Sequence, residues 1–220
     1  MINELANIDQ TVFLFLNGMH NTFGDYFMST FTSKWIWVPM YAAILYVLLR
    51  NFDWKVVLGC LAAIALTITF ADQVCATVIR PVVERLRPSN PDNPISDLVH
   101  IVNGRRGGSY GFPSCHASNS FGLAFFLVFL FRQRRLSLFI CLWATLNCYT
   151  RIYLGVHYPG DLLAGTIVGL CGAGLMYYVL RKVTKGTNFK VARQTDVIIY
   201  VGLLTTLGIL IYATVQTVAA

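Results

Sequence analysis

Residues 113–131 read PSCHASNSFGLAFFLVFLF, and the change of chemistry inside that stretch decides the architecture. Pro113 followed by Ser114 has the form of a helix start, with Ser114 as N-cap and Cys115 and His116 in the first turn. The exposed N–H groups and the positive dipole end of such a helix make an anion site. Beyond it the chain stays predominantly apolar to Phe131 without a charged residue, as a helix crossing hydrocarbon must. A polar, histidine-bearing tip on a lipid-soluble helix is the unit from which the rest is read.

The same alternation runs along all 220 residues, which are 56% hydrophobic and only 12% charged, against roughly a quarter charged in soluble domains. Six segments suit transmembrane helices, at 35–49, 54–79, 115–131, 136–152, 159–180 and 196–218. Residues 5–32 hold one short apolar run, Val12 to Leu16, followed by Asn17, His20, Asn21 and Asp25. That run is too short to span and predicts an amphipathic helix lying in the interface. The expected fold is therefore all-α: one membrane-embedded domain over residues 1–220, six transmembrane helices, an interfacial segment 1–34 and a long polar loop 89–112. No basic region, apolar stretch and small-residue cleavage site open the chain, so the first span is expected to serve as the insertion signal.

Charge orders this bundle across the bilayer. The connections alternate between two faces, and the face holding 50–55, 132–135 and 181–195 carries Arg50, Lys55, Arg132, Arg134, Arg135, Arg181, Lys182, Lys185, Lys190 and Arg193, ten of the seventeen basic residues. Short loops rich in Lys and Arg stay in the cytoplasm. The other face is then periplasmic in the cytoplasmic membrane of a bacterium, and Trp35, Trp37 and Tyr41 suit an aromatic belt there. The net charge of +7 thus describes topology, and with no basic-aromatic module beside it no nucleic-acid partner is expected. Cys60, Cys75, Cys141, Cys148 and Cys171 lie in apolar runs and Cys115 in a polar block, which suits small buried side chains better than bridges or a metal site.

Three polar blocks fall on the periplasmic face: Arg80 to Arg87-Pro88, Pro113 to His116, and Thr150-Arg151 with His157 and Asp161. Short connections between antiparallel helices bring such ends together. Arg80, Arg87 and Arg151 supply permanently charged forks for phosphate oxygens. Arg80 and Arg87 would share a helix face two turns apart, with Pro88 ending the helix and Pro81 kinking it. His157 and Asp161 stand four apart, so the carboxylate can hold one imidazole nitrogen and raise the nucleophilicity of the other. His157 is the candidate nucleophile, forming a phosphohistidine, and His116 the candidate acid and base. This scheme calls for no metal and no cofactor.

Taken in order, the blocks resemble the signature of the type 2 phosphatidic acid phosphatases, which share an active site with vanadium-dependent haloperoxidases: Lys-x6-Arg-Pro, Pro-Ser-Gly-His and Ser-Arg-x5-His-x3-Asp. The resemblance covers residues 72–165 directly. It implies catalytic roles for His157, His116 and Asp161 and phosphate contacts from Arg80, Arg87, Ser114 and Arg151, with Cys115 at the signature glycine. Arg80 stands where lysine is usual and Thr150 where serine is usual. The implied activity is metal-independent hydrolysis of a phosphorylated membrane lipid, of the undecaprenyl pyrophosphate, phosphatidylglycerol phosphate, phosphatidic acid or lipid A class, within the bilayer. A lipid phosphotransferase using the same site and a non-catalytic lipid carrier are the competing functions.

Other polar residues read less sharply. Arg85, Arg105 and Arg106 suit lipid headgroups as well as substrate. His20 and His100 read as surface residues, Asp72 as part of a buried polar network with Gln73, and Glu84 as a partner of Arg80 or Arg85. Phe121, Phe125, Phe126 and Phe129 read as lipid-facing or core packing.

Overall fold

The computed structural model describes residues 2–185, 187–189 and 192–220, without the side chains of Ile2 and Asn3. Lys190, counted above with the cytoplasmic face, lies outside the described residues. The chain forms α1 (Ile2–Asn17), α2 (Thr22–Phe31), α3 (Val38–Asn51), α4 (Trp54–Val83), α5 (Cys115–Phe131), α6 (Arg134–Tyr153), α7 (Pro159–Val183) and α8 (Asp196–Ala219). Among the described residues the one extended pairing is a bridge between Leu86 and Tyr110. The protein is all-α.

Three of these helices, α4, α7 and α8, are each long and apolar enough to cross a membrane. A fourth candidate is α2 taken together with Lys34–Asn51, a pair bent by 64° at its break that meets the same length and composition only when counted as one. The segments expected at 115–131 and 136–152 are helical but fall short of a free-standing span for different reasons. α5 has 17 residues, against about 20 needed to span, and α6 opens on Arg134 and Arg135 and closes with Arg151. α5 lies at the centre of the bundle, where Leu123, Ala124, Phe126, Leu127 and Leu130 are buried.

In lipid, helices associate by close packing, because hydrocarbon solvates apolar side chains as well as a neighbour does. The α5–α7 pair, the most extensive in the fold, accordingly meets through glycines. A Cβ on Gly165 would collide with the carbonyl oxygen of Ser114, and one on Gly169 with that of Ser118. α4 closes on the same pair, where a Cβ on Gly172 would lie 2.9 Å from the Phe70 ring. α8 packs on α2 and α3.

The N-terminal segment is two helices rather than one. Asn21 caps α2 by accepting from Gly24 N at 2.7 Å, while α1 buries Phe13 and Asn17 and exposes Leu5, Ile8 and Phe15. The 64° bend turns Trp37 inward, correcting its place in the aromatic belt: it is 1% exposed, donates Nε1–H to Phe31 O at 2.8 Å and meets Trp143 edge-on, whereas Trp35 remains exposed. All six cysteines are free, and Cys171 is exposed rather than buried.

The bundle has two polar ends. At one, Asn51 exchanges two hydrogen bonds with the backbone of Arg193 and Phe52 packs on Phe189. At the other, α1, the 84–114 connection and the turn after α6 are knitted together. Asn17 Nδ2 donates to the carbonyls of His100, Ile152 and Tyr153, and its Oδ1 accepts from His100 N.

Candidate active site

The site begins where α4 ends. Residues Val74–Ile79 form a wide π-helical stretch just before Pro81, which lacks an N–H and crowds the carbonyl four residues back. One helical turn later Glu84 takes a left-handed conformation with φ 47°. The helix therefore stops at Val83, and Arg80 and Arg87 do not share a helical face as expected. Arg87 instead stands on an extended segment whose N–H bonds Ser109 O at 3.0 Å, while Gly111 N bonds Arg85 O at 2.8 Å. The two arginines reach one site from a helix end and from this crossed pair of strand-like segments.

The 89–112 loop is built rather than loose. Short helical turns at Ser96–Leu98 and Val102–Gly104 interrupt it, Ile95, Val99 and Val102 are buried, and Ser89 N bonds Gly155 O at 3.0 Å. His100 is not an ordinary surface residue, because its Nε2 meets Asp25 Oδ1 at 2.8 Å and its ring stacks on His20 at 3.8 Å.

Pro159 starts α7, and Asp161 in its first turn turns back: Oδ2 accepts from Tyr158 N at 3.0 Å and faces His157 Nδ1 at 3.3 Å. The acceptor assigns the Nδ1 proton. Nε2 then holds the lone pair and takes a hydrogen bond from Arg87 Nη1 at 2.9 Å, a group that also bonds Val156 O at 3.0 Å. Both His157 and Asp161 are buried. Burial first, then the charges of Arg87, Arg151 and Arg80 and the neighbouring His116, hold His157 well below its ordinary value of 6.5. The imidazole is kept neutral.

Sequence reasoning left Arg85 undecided, and the structure makes it part of this centre. Its Nη1 bonds Asp161 Oδ1 at 3.0 Å, its Nη2 bonds Asp9 Oδ2 at 2.7 Å, and its plane lies 3.9 Å over the Tyr158 ring. Arg85 thus turns to two aspartates in place of Glu84. Asp9 continues the chain to the α7 terminus, accepting from Gly160 N at 2.8 Å. Gly111 backs the pair so closely that a Cβ there would sit 3.0 Å from Asp161 Oδ2 and 3.4 Å from His157 Nδ1.

The second block caps α5 as expected, with Ser114 Oγ accepting from Ala117 N at 3.3 Å and Ser114 N bonded to Asp161 O at 3.0 Å. Ser114 is fully buried, so its hydroxyl serves the cap. Cys115 Sγ lies 3.0 Å from Arg80 Nη2, which also bonds Pro113 O at 3.0 Å. His116 is held by a residue the sequence did not single out: Asn147 Oδ1 lies 2.7 Å from its Nε2. Thr32, equally unremarked, stands between His116 Nε2 at 3.5 Å and Arg151 Nη1 at 3.0 Å. Asp72 pairs with Asn119 at 3.3 Å rather than with Gln73. Arg105 and Arg106 stay exposed on the loop.

Five buried side-chain N or O atoms find no partner within the protein among the described residues, and three are Arg80 Nε, Arg87 Nε and Arg151 Nε. An unpaired buried donor costs about 1–3 kcal/mol, more when charged. The three belong to the arginines whose charges act on His157, a set of donors chemically suited to an oxyanion with several oxygens. A cavity of about 250 Å³ lined by Thr32, Arg105, Gly107, Arg151 and Val156 adjoins this group at Arg151. Among the described residues no three His, Cys, Asp or Glu side chains gather as a metal site.

The comparisons with known proteins agree with this geometry. The PAP2 superfamily model matches residues 57–185. A lipid A 4′-phosphatase of Bacteroides thetaiotaomicron is 61% identical over 228 aligned positions, covering 99% of this chain and all of the relative. A lipid A 4′-phosphatase of Porphyromonas gingivalis is 35% identical over 80% of this chain and 74% of its own length. The crystal structure of a PAP2-type phosphatidylglycerolphosphate phosphatase from Bacillus subtilis shares the fold with a TM-score of 0.60 at 22% identity, covering 84% of this chain and 90% of that one. The chain belongs to the PAP2 superfamily, in its branch of membrane lipid phosphatases.

Proposed function

We propose that this protein hydrolyses the 4′-phosphate of lipid A, or a lipid phosphate of that class, through a phosphohistidine on His157. The observation that carries the reading is the set of three unpaired guanidinium Nε donors on the arginines whose charges act on the neutral, Asp161-held His157. The substrate follows from likeness to the 61% identical relative over its whole length.

The steps follow from the groups present. Arg80, Arg87 and Arg151 neutralise the phosphoryl oxygens, doing with fixed charge what other phosphoryl-transfer sites do with magnesium. Nε2 of His157 attacks phosphorus in line, the ester P–O bond breaks, and Asp161 stabilises the positive charge left on the ring. Asn147 takes the Nε2–H of His116, so proton exchange runs at its Nδ1. His116, which takes up the Nδ1 proton as the dianion binds, gives it to the departing sugar oxygen. It then takes one from water, which attacks phosphorus, breaks the P–N bond and releases phosphate. Ser114 holds the α5 start against Asp161, and Cys115 holds Arg80.

The reading places six spans in the cytoplasmic membrane, α3 to α8, with the site on the periplasmic face. It is supported by the basic residues gathered at the opposite end. The test is phosphate release from lipid A bisphosphate by the purified chain in detergent with EDTA, with product masses locating the phosphate removed. Turnover, an acid-labile and base-stable phosphoprotein in a rapid quench, and loss of both in His157→Asn are expected. Strict dependence on a divalent metal, full activity in His157→Asn, or transfer to a second lipid in place of water would each refute a named part of it.

A further inference from the structure

The two remaining unpaired atoms, Trp143 Nε1 and Asn119 Oδ1, belong to a different place. Both residues line a second cavity of about 440 Å³, a volume ordinary for a bound organic molecule. It starts at the catalytic end, where Thr32, Lys34, His116 and Asn147 form its polar roof, and its walls below are mostly apolar, with Ile44, Leu61 and Leu123 beside Ser120. Thr32 lines both this cavity and the 250 Å³ cavity beside Arg151. Leu123 is seven residues past His116, so the wall descends about 10 Å into the bundle. The cavity is bounded by α3 and α4, which pack sparsely on each other and present half-exposed Tyr41, Leu45 and Leu61 at its side. Through that side a lipid chain can stay in hydrocarbon while its phosphate enters the arginine site.

The depth of the two unpaired atoms is informative. α5 runs downward from His116, and Asn119 is three residues on. α6 runs upward to Asn147, and Trp143 is four residues before it. Both therefore lie about one helical turn, roughly 5 Å, below the His116–Asn147 pair. One is a donor without an acceptor, the other an acceptor without a donor, and Trp143 is only 5% exposed. An all-hydrocarbon chain at this depth leaves both unsatisfied.

We infer that this cavity binds the head-proximal part of a substrate acyl chain and that Trp143 and Asn119 recognise a group there which both accepts and donates a hydrogen bond, a hydroxyl or an amide. The inference rests on the phosphatase reading above and makes Trp143 and Asn119 specificity residues. The hydroxyl or amide gives a hydrogen bond to Asn119 Oδ1 and takes one from Trp143 Nε1–H, registering the phosphate against His157.

Synthetic glucosamine 4-phosphates bearing one chain test it. The reference compound carries a 3-hydroxytetradecanoyl chain through an amide, a second lacks the hydroxyl, and a third replaces the amide by an ester. The wild-type protein is expected to prefer the reference over one or both of the others by about three- to tenfold in kcat/KM per hydrogen bond lost. Trp143→Phe, which keeps an aromatic ring and removes the donor, and Asn119→Leu should each shrink that preference toward one. A folding defect lowers turnover of every compound without changing the ratio, so the ratio is the readout. Equal turnover of all three compounds by the wild type, or an unchanged preference in Trp143→Phe, overturns the inference and leaves the phosphatase reading standing. Turnover of none removes both.

Discussion

At the scale of single residues, an ionisable group in lipid is expensive, and that cost is why the catalytic candidates were legible. In a chain with so few charges, arginines and histidines at repeated spacings stand out against the apolar background. Thr32, Asn147 and Gly111 carry no such signal. A hydroxyl, an amide and a glycine become site residues only when chain segments far apart in sequence meet, and spacing cannot report that. Two predictions belong here. Arg151→Lys keeps the charge but loses the fork and the unpaired Nε, so kcat/KM should fall roughly ten- to hundredfold, the range for one charge-assisted hydrogen bond. A phosphate-release titration of both proteins measures it, and an unchanged value would take Arg151 out of phosphate binding. The second concerns pH. The proton affinity of His157 is depressed in the folded protein, so below its ordinary value of 6.5 the unfolded chain binds a proton that the native site refuses. Stability contributed at this position is therefore lost as pH falls from 6.5, by at most about 1.4 kcal/mol per pH unit. His157→Gln should gain stability relative to wild type between pH 6.5 and 5. Parallel melting temperatures across that range would contradict the neutral, buried imidazole.

At the scale of elements, hydrophobic runs located the helices, while the connections between them were misread in instructive ways. The helix carrying Arg80 was expected to continue to Pro88, but Pro81, the wide turn before it and the left-handed Glu84 end it at Val83. Periodicity alone cannot see a helix stopped by backbone geometry. The interfacial helix expected over 5–32 divides at Asn21, whose cap competes locally with helix continuation. Packing between elements yields a sharper prediction. Gly169 faces the Ser118 carbonyl with no space for a Cβ, whereas Gly174 on the same helix has nothing within 4 Å of one. Gly169→Ala should cost about 1–3 kcal/mol through overpacking, lowering the melting temperature in detergent by several degrees. Gly174→Ala should be neutral or slightly stabilising, since alanine is the better helix former. Activity should fall with Gly169→Ala beyond the loss of folded protein, because the α5–α7 interface also carries the Ser114 N to Asp161 O bond. Equal melting points for the two variants would mean that the helix pair has slack.

At the scale of the whole molecule, what folds the chain and what gives it function are the same asymmetry. One end of the bundle gathers most of the basic side chains in short connections. The other gathers α1, the 84–114 connection and the 154–158 turn around the histidines. The sequence displayed that asymmetry through loop charge, and a lipid substrate called for a lateral opening between helices, whereas the place of that opening between α3 and α4 was hidden, since a gap between helices leaves no pattern in either one. The orientation can be tested directly with a membrane-impermeant maleimide on cells whose inner membrane is intact. Asp97 lies exposed on the connection above the site and Lys185 lies exposed just beyond α7 at the opposite end. Asp97→Cys should label before the inner membrane is broken, and Lys185→Cys only afterwards, each judged against the parent chain with its six native cysteines. The charge rule requires this result, because the end bearing Arg134, Arg135, Arg181 and Lys182 should resist translocation. The reverse pattern would put the arginine site in the cytoplasm. A phosphate on the outer leaflet could then not reach His157, and the function would have to be sought among lipids of the inner leaflet.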